Sequence, residues 1–343
     1  MDTILITGSN GFIGSHLIDY CLKKGFQVYA LDRPSASFDN LLHYTDGKYR
    51  FSQQEKEEIF GEKIRVPSNN RNLIFLEGDL RNKELLEKII KEITPTYLFH
   101  FAAQPYVIPS WENPAATIEI NVIGTINVFE PIKKYNLNTR VILACTAAEF
   151  GTTADLNRPL KETDPLLAIH PYGISKIAAE LLARQYYINF KIESVNTRFF
   201  NQTGPRQVIG VVPDFIKNVA EIELGLRDPV IEVGNLDPYR DFTDIRDTLE
   251  GIWLAATKGK PGETYHICSN TKTSIREILT IALSFSTKEI KVIENLKGKL
   301  RNTDEDCIIG DNSKIRNELG WNPKYSLKEI LKNVYDYWID HLK

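Results

Sequence analysis

The sequence lacks long apolar segments and has few sulfur-containing residues. No apolar run approaches the about 20 residues that a helix needs to cross a bilayer. Among 343 residues there is one methionine and there are four cysteines, which lie far apart without CxxC or Cys/His spacing: Cys21, Cys145, Cys268 and Cys307. The six histidines form no HExxH-type pair. These absences argue against a membrane protein and a zinc site, and they favour reduced, mostly structural thiols.

The charge of the chain gives no indication of a macromolecular partner. The formal net charge is −3, and lysines and arginines are spread along the chain, so nothing predicts a nucleic-acid or membrane surface. The segment Met1–Ile6 reads as a strand without a basic leader region. We therefore expect a cytoplasmic protein.

The first two-thirds of the chain alternates short apolar runs with longer amphipathic segments. The predicted strands are Ile4–Thr7, Gln27–Leu31, Leu73–Glu77, Tyr97–Phe101, Val141–Ala144 and Ser194–Arg198. The predicted helices between them are Ser15–Lys24, Lys83–Ile93, Thr117–Tyr135 and Ile174–Phe190. This alternation predicts an α/β fold of the Rossmann type, a doubly wound parallel sheet with helices on both faces.

After about Asn201, proline and glycine become frequent and the strands become shorter. We predict a dinucleotide-binding domain over residues 1–200 and a smaller α/β substrate lobe over 201–343, partly interleaved with the sheet. The last helix, Leu327–His341, should pack back on the body.

The polar stretch Ser35–Arg71 is longer than an ordinary crossover. Its composition predicts a helical piece around Gln53–Phe60. A solvated insertion is the favoured interpretation, and a flap near the cofactor or an oligomer contact are the alternatives.

A Gly-rich loop, Thr7–Gly14, follows the first strand and opens a helix. Gly8 permits the tight turn, Gly11 lets the backbone approach a pyrophosphate, and Gly14 lets helix and strand pack closely. The helix N-terminus offers unpaired N–H groups to phosphates. In this context the pattern predicts dinucleotide binding.

Two acidic positions bear on the choice of dinucleotide. Asp32 ends the second strand, where a carboxylate accepts hydrogen bonds from ribose hydroxyls and repels a 2′-phosphate, so NAD is favoured. Arg33 could instead bind a 2′-phosphate, which leaves NADP open. Asp79, after the third strand, could meet the adenine.

Tyr172 and Lys176 lie four residues apart on a predicted helix and share one face. A nearby ammonium should lower the pKa of the phenol below its usual value of about 10. Tyr172 could then exchange a proton with a substrate hydroxyl during hydride transfer, and Lys176 would also bind the nicotinamide ribose.

Thr146 and Glu149 follow the strand Val141–Ala144, at the sheet edge where ligands bind. Thr146 can hydrogen-bond the reacting oxygen beside Tyr172. Glu149 is either a second acid or base or a structural anchor.

Together these segments resemble the extended short-chain dehydrogenase/reductases, in their nucleotide-sugar epimerase/dehydratase/reductase branch. The C-terminal half is most similar to the group of GDP-mannose 4,6-dehydratase and GDP-4-keto-6-deoxymannose reductase. The markers are Thr7–Gly14, Gly78–Leu80, His100–Gln104, Asn121, the Thr146 segment, Tyr172 with Lys176, Arg198–Pro205, Tyr239–Asp247 and Gly310-Asp311.

The resemblance implies two sets of binding residues. Those for the cofactor are Gly8, Asn10, Gly11, Phe12, Ile13, Gly14, Asp32, Arg33, Asp79, Leu80, Phe101, Ala102, Ala103, Gln104, Asn121, Tyr172, Lys176 and Phe199. Those for a nucleoside-diphosphate sugar, expected to be GDP-linked, are Thr146, Asn201, Val212, Lys217, Arg240 and Arg301. No metal is expected. A homodimer through the helices Thr117–Tyr135 and Ile174–Phe190 is also implied.

The reaction itself stays open between three chemistries. Similar 4,6-dehydratases place a glutamate two residues after the catalytic threonine, but this chain has Ala148 there and Glu149 one residue later. Epimerisation or 4-keto reduction at C4 is therefore favoured over dehydration with Glu149. A non-catalytic NAD sensor is a remote alternative. A steroid or flavonoid reductase fits Arg240 and Arg301 less well than a diphosphate does.

Overall fold

A computed structural model describes residues 2–156, 158–295 and 307–343. Within them a nine-stranded sheet has the order β13-β8-β7-β6-β1-β2-β5-β4-β3. Its strands are β1 (Thr3–Thr7), β2 (Gln27–Asp32), β3 (Glu57–Ile59), β4 (Glu62–Val66), β5 (Leu73–Glu77), β6 (Tyr97–His100), β7 (Arg140–Thr146), β8 (Ser194–Phe199) and β13 (Thr264–Ile267). The pairs β1–β2, β2–β5, β1–β6 and β6–β7 are parallel, which confirms the predicted α/β class.

Two compact units divide the chain. The first comprises Met1–Glu149, Leu166–Arg198 and Ile252–Tyr265, and the second comprises Phe150–Pro165, Phe199–Gly251 and His266–Lys343. The chain therefore passes between the units several times. Helix α8 (Ile245–Lys258) contains one of these passages.

Helices of the first unit follow the predicted periodicity. They are α1 (Phe12–Lys23), α2 (Lys83–Ile93), α3 (Val107–Glu112), α4 (Pro114–Ile118), α5 (Gly124–Lys134) and α6 (Pro171–Phe190). In α2 the Asn82 side chain caps the N-terminus by accepting from Leu85 N, and Leu86, Ile89 and Ile90 are buried. Apolar residues at this spacing form one stripe that the helix packs on the core.

The predicted helix Thr117–Tyr135 is interrupted. A π-helical turn, Glu119–Ile123, separates α4 from α5. This turn buries the Asn121 side chain, and such turns often occur where a side chain has a functional position.

The insertion 35–71 contains a hairpin and not the predicted helix around Gln53–Phe60. Strand β3 pairs antiparallel with β4, and β4 pairs antiparallel with β5. Phe60 and Gly61 connect β3 to β4 with φ values of 56° and 72°. Two successive positive φ values match the twist of a two-residue hairpin, which excludes a continuing helix.

The rest of the insertion packs on the first unit. A 3-10 helix, Asp39–Tyr44, places the Tyr44 hydroxyl 2.8 Å from Asp19 Oδ1 in α1. Asn40 Nδ2 donates to the Asn10 carbonyl at 3.1 Å. Phe38 is buried edge-on against Phe75 of β5. The insertion is therefore packed at its base and is not only a solvated loop.

The second unit contains short strands, as its composition predicts. They are β9 (Asn201–Thr203), β10 (Val230–Glu232), β11 (Tyr239–Arg240), β12 (Phe242–Asp244), β14 (Thr273–Ser274), β15 (Lys291–Ile293) and β16 (Cys307–Ile308). Its helices include α7 (Val211–Glu223), α9 (Ile275–Leu283), α10 (Ser313–Leu319) and α11 (Leu327–Leu342). Apolar residues of α7, α9 and α11 form its core, so the last helix packs back on the unit as predicted.

No described helix combines the length and apolar character that a membrane span requires. All four cysteines are free thiols, and three of them are buried: Cys21, Cys145 and Cys268.

Candidate functional site

Steric limits fix two glycines of the Gly-rich loop. Gly8 has a φ of +73°, and a Cβ there would lie 2.6 Å from Ala102 N. A Cβ on Gly14 would lie 2.2 Å from the Gly8 carbonyl oxygen. Both distances are shorter than any real contact, so the tight turn and the close approach of α1 to β1 require glycine at these positions.

Asp32 is held by the backbone on both sides of its carboxylate. Its Oδ2 accepts from Asn10 N and its Oδ1 accepts from Arg33 N, each at 2.8 Å. Burial raises the pKa of Asp32, and these hydrogen bonds and the Arg33 charge partly offset the rise. The carboxylate is thus fixed at the end of β2, while the Arg33 side chain is exposed.

The start of α1 fits a phosphate. Gly11 is the N-cap residue of α1, so no side chain caps the first backbone N–H groups of the helix, and the first turn contains no acidic residue. Asn10 is only 9% exposed, and its Nδ2 has no hydrogen-bond partner among the described residues. Unpaired donors at a helix N-terminus, close to the positive end of the helix dipole, suit the diphosphate of a dinucleotide. Phe12 and Ile13, in the same turn, are half-buried.

In the segment after β5, the Asp79 side chain is paired with Arg81 of the same segment. Asp79 accepts two hydrogen bonds from the Arg81 guanidinium, at 2.6 and 2.9 Å. Arg81 lowers the pKa of Asp79. Leu80 is buried against Gly124 of α5. A Cβ on Gly124 would lie 2.9 Å from the Cβ of Leu80, so the two residues pack closely. A contact of Asp79 with adenine stays a prediction.

Asn121 joins the loop after β6 to α6. Its Oδ1 accepts from Gln104 N at 2.8 Å, and its Nδ2 donates to the Gln104 carbonyl at 3.1 Å. The same Nδ2 donates to Ser175 Oγ at 2.8 Å, next to Lys176. Asn121 therefore positions both Phe101–Gln104, which is half-buried, and the residues of α6.

Tyr172 lies in the first turn of α6, against the turn that follows β7. His170 caps this helix, because its Nδ1 accepts from Gly173 N at 2.9 Å. A Cβ on Gly173 would lie 2.6 Å from the Ala148 carbonyl oxygen. This close approach brings the first turn of α6 against the turn that follows Thr146, and the Thr146 side chain is near enough to lower the pKa of Tyr172.

The predicted fall in the pKa of Tyr172 is wrong for this structure. Burial raises the pKa of Tyr172 above its usual value, Glu149 and Cys145 raise it further, and the hydrogen bond from Thr146 opposes them. Removal from water disfavours the charged phenolate. This effect outweighs the spacing argument, and Lys176 is not among the groups that shift Tyr172.

Lys176 is buried beside Tyr172 on the same face of α6. Burial lowers the pKa of its ammonium, while Cys145, Glu149 and Glu180 oppose that change. Its Nζ forms no hydrogen bond or ion pair with the described residues. An ammonium with unused donors fits ribose hydroxyls.

Glu149 is completely buried, at 0% exposure, and its carboxylate is engaged within the first unit. Its Oε1 accepts from Thr146 N at 2.9 Å, and its Oε2 accepts from Arg198 Nε at 3.2 Å. These contacts disfavour Glu149 as an exposed catalytic acid or base and favour the anchoring alternative. Ala148, between Thr146 and Glu149, is half-buried instead.

Sequence reasoning overlooked one member of this buried cluster. Glu180 lies four residues after Lys176 on α6, and its Oε1 accepts from Arg198 Nη2 at 2.7 Å. Tyr172, Lys176 and Glu180 recur every four residues, which is the spacing of one helix face. This spacing could have indicated a buried acidic residue beneath the catalytic pair.

The second unit holds most of the predicted sugar-nucleotide residues. Asn201 donates from N and Nδ2 to the Asp241 carbonyl, both at 3.1 Å. Val212 is 1% exposed, so its side chain belongs to the core. Lys217 lies over the Trp338 ring and 3.7 Å from Glu221. Arg240 donates to the Tyr239 carbonyl.

The last two predicted residues are Phe199 and Arg301. Phe199 is buried at the end of β8. Arg301 lies outside the described residues.

Comparisons with known proteins identify enzymes to which the chain is similar. The family model described as GDP-mannose 4,6 dehydratase matches residues 5–334. A GDP-6-deoxy-D-mannose reductase of Pseudomonas aeruginosa is 27% identical over 76% of this chain and 85% of its own length. A GDP-mannose 4,6 dehydratase of Cricetulus griseus is 28% identical over 96% of this chain and 89% of its own.

A solved structure shares the fold over nearly the whole chain. It is the UDP-glucose 4-epimerase of Thermus thermophilus in complex with NAD, which covers 98% of both chains with a TM-score of 0.76 and 25% identity. The similar proteins thus include a reductase, a dehydratase and an epimerase.

Proposed function

The chain belongs to the GDP-mannose 4,6-dehydratase family of extended short-chain dehydrogenase/reductases, and we propose that it modifies a nucleoside-diphosphate sugar by NAD(P)-dependent hydride transfer at C4. The observation that carries this proposal is that Tyr172 lies one helical turn before the buried Lys176 on α6, with Thr146 near enough to lower the pKa of its hydroxyl. This is a hydroxyl pair next to a cation, within a unit that also contains the Gly-rich loop.

The chain's own groups have distinct roles in this reaction. Bound NAD(P) would supply the acceptor or donor of the hydride. Tyr172 exchanges a proton with the sugar oxygen, and Thr146 hydrogen-bonds the same oxygen. Lys176 has unused ammonium donors that would bind the nicotinamide ribose and so position the ring beside the reacting carbon.

The proposed reaction is epimerisation or 4-keto reduction. Both need only Tyr172, Thr146, Lys176 and the nicotinamide. Dehydration across C5 and C6 needs a further acid or base near the sugar. Glu149 is buried with Thr146 and Arg198 as partners, which supports the first two reactions over a dehydratase that uses Glu149.

NAD is the favoured cofactor. Asp32 is fixed by two backbone N–H groups with its carboxylate at the end of β2, where it would accept from ribose hydroxyls and repel a 2′-phosphate. The similar epimerase of Thermus thermophilus binds NAD. NADP stays possible because the Arg33 side chain is exposed nearby.

The first compact unit is proposed to bind the dinucleotide and the second the sugar nucleotide. Asn201, Lys217, Arg240 and Arg301 are the proposed contacts of the second, since amide and cationic groups suit a diphosphate. The relatives named for GDP-linked sugars support GDP as the nucleotide.

One experiment separates the candidate reactions. The purified protein is incubated with a panel of GDP-, UDP-, CDP- and dTDP-sugars, with and without NADH or NADPH, and the products are identified. An isomer formed without reductant indicates an epimerase, and strict dependence on reductant indicates a reductase. Loss of water indicates a dehydratase. Cofactor binding without turnover of any sugar would contradict the proposal and favour the sensor.

A homodimer through the flanking helices is also proposed. On α6 the exposed residues Ile174, Leu181 and Ile188 are seven residues apart, so they form one apolar stripe on the helix surface. Leu181→Asp should shift the sedimenting species towards monomer. The matched control is Leu226→Asp, an exposed leucine of the second unit. Unchanged sedimentation of the Leu181 variant would contradict this interface.

A further inference from the structure

A buried polar cluster lies beneath Thr146 and Tyr172. It contains Cys145, Glu149, Glu180 and Arg198, all buried. The Cys145 sulfur and the nearest carboxylate oxygens of Glu149 and Glu180 lie within 4.8 Å of one another. Arg198 Nη2 donates to Glu180 Oε1 at 2.7 Å, and Arg198 Nε donates to Glu149 Oε2 at 3.2 Å.

Arg198 is the one cation that bonds these two acids among the described residues. Lys176, the other buried cation near them, forms no ion pair with either, and burial makes a second negative charge without a direct partner costly. Two carboxylates so close together are stable when they share one proton, because one then donates to the other. Glu180 takes the shorter bond from Arg198 and also accepts from Thr264 Oγ1 at 3.0 Å. Glu149 is therefore the member better suited to carry the proton.

We propose that Glu149 is a positioning residue in its protonated form: it donates to Glu180 while its other oxygen accepts from Thr146 N–H, and so aligns Thr146 with Tyr172. This inference rests on the proposed function and deepens it. Glu149 thus links Thr146 at the end of β7 to Glu180 of α6, and Arg198 of β8 holds both carboxylates by hydrogen bonds.

The electrostatics agree with this placement of the proton. Burial raises the pKa of Glu149 well above its ordinary value, Glu180 raises it further, and Arg198 opposes both. The pKa of Glu180 is lowered, because Arg198 and hydrogen bonds from Glu149, Thr264 and Cys145 outweigh its burial.

Among the described residues, the charged and titratable groups that act most strongly on this acid pair belong to three elements. Cys145 comes from β7, Arg198 from β8, and Tyr172, Lys176 and Glu180 from α6.

The kinetic test compares Glu149→Gln with Glu149→Ala. Glutamine keeps an acceptor for Thr146 N–H and a donor to Glu180, and it loses only the longer contact with Arg198 Nε. We expect kcat of Glu149→Gln within about tenfold of wild type, with the pH profile unchanged. We expect Glu149→Ala to lower kcat further with KM nearly constant, because Thr146 loses its alignment in the transition state.

Two kinetic outcomes would overturn the proposal. A fall in kcat of Glu149→Gln by about 10²- to 10⁴-fold, with loss of one limb of the pH profile, would show that Glu149 is itself an acid or base. If Glu149→Ala keeps full turnover, the residue does not position Thr146.

A second measurement does not depend on activity, so it separates this inference from the proposed function. A group whose folded-state pKa is raised stabilises the fold below its unfolded pKa, and that stability is lost as pH rises towards the folded pKa. Wild type should therefore lose stability relative to Glu149→Gln, and the Tm difference between variant and wild type should increase from about pH 5 to about pH 8. A difference that is constant, or that decreases, would overturn the protonated state even if no substrate is found.

Discussion

Asn10 donates its backbone N–H to Asp32 Oδ2 at 2.8 Å, so the Gly-rich loop and the end of β2 form one connected unit. Asp32 therefore has two roles. It stabilises the loop that should bind the diphosphate, and it should itself bind the ribose. A carboxylate oxygen has two lone pairs. Each oxygen of Asp32 uses one for the backbone and keeps one for a ribose hydroxyl.

The first prediction concerns Asp32→Ala. The affinity for NADH should fall by about ten- to hundredfold, since hydrogen bonds to a charged group are lost. The affinity for NADPH should fall less, because the repulsion of its 2′-phosphate is also removed. Fluorescence titration of both reduced cofactors measures the two effects. Asp39→Ala, an exposed aspartate in the same unit, is the control. Unchanged NADH binding would exclude Asp32 from the ribose site.

Tyr172→Phe should lower turnover by about 10²- to 10⁴-fold, because it removes the proton that general acid–base catalysis transfers. Cofactor affinity should stay nearly constant, since the ring is retained. Steady-state kinetics with the best sugar of the panel gives the first quantity, and NADH titration gives the second. Tyr187→Phe removes a hydroxyl from the same helix and serves as control. Near-normal turnover of Tyr172→Phe would remove Tyr172 from the mechanism.

Ala148→Glu tests why this chain should not dehydrate its substrate. Ala148 is half-buried whereas Glu149 is buried, so a carboxylate at 148 is expected to reach the substrate side of the turn. We expect the variant to release some product that is lighter by one water, which mass spectrometry detects. Ala148→Gln, of similar size but without an acid, should release none. Dehydration by the wild-type enzyme would show that no carboxylate at 148 is required.

His100 provides a prediction on acid stability. It is buried between two threonines, with Nδ1 2.8 Å from Thr7 Oγ1 and Nε2 3.1 Å from Thr125 Oγ1. The Thr125 hydroxyl proton is directed to the Asn121 carbonyl at 2.6 Å, so Thr125 accepts from Nε2–H, which leaves Nδ1 of the neutral ring to accept from the Thr7 hydroxyl. Burial and the Lys176 charge lower the pKa of His100 to about 3.

The sign of the effect follows from that depressed pKa. The unfolded chain takes up a proton near pH 6.5 and the native state does not, so this stabilisation is present above about pH 6.5 and is lost as pH falls towards about 3. The free energy of unfolding of wild type relative to His100→Gln, measured by urea unfolding, should therefore shrink from about pH 7 to about pH 4, by up to about 1.4 kcal/mol per pH unit. A constant advantage would indicate a charged His100.

Strong local patterns allowed most of the first unit to be predicted. Strand β5 and helix α2 have the predicted limits, because an apolar run and a regular amphipathic stripe determine them locally. The segment Gln53–Phe60 was predicted incorrectly as a helix. Its strand β3 forms only by pairing with β4, and short polar segments carry no periodicity that could reveal such pairing. The Phe60-Gly61 turn was the available signal.

The sequence indicated which residues form the site, but not which way their side chains face. The spacing of Tyr172 and Lys176 correctly places them on one face of α6. It could not show that Glu149 turns inward while Ala148 turns outward, because one step along a tight turn reverses a side chain. Nor could the spacing show that burial raises the pKa of Tyr172, since desolvation depends on packing from distant parts of the chain.

The hairpin of the insertion also changes what the sheet presents to other molecules. Without it, β5, with the sequence Leu-Ile-Phe-Leu-Glu, would be the outermost strand on that side. An apolar strand with unpaired backbone groups is a template for intermolecular pairing and aggregation. With the hairpin present, the outermost strand on that side is β3, which has three residues, and its Glu57 and Glu58 are exposed. The insertion thus gives the protein a short border strand with charged side chains, which is a defence against fibril-like association and favours colloidal stability.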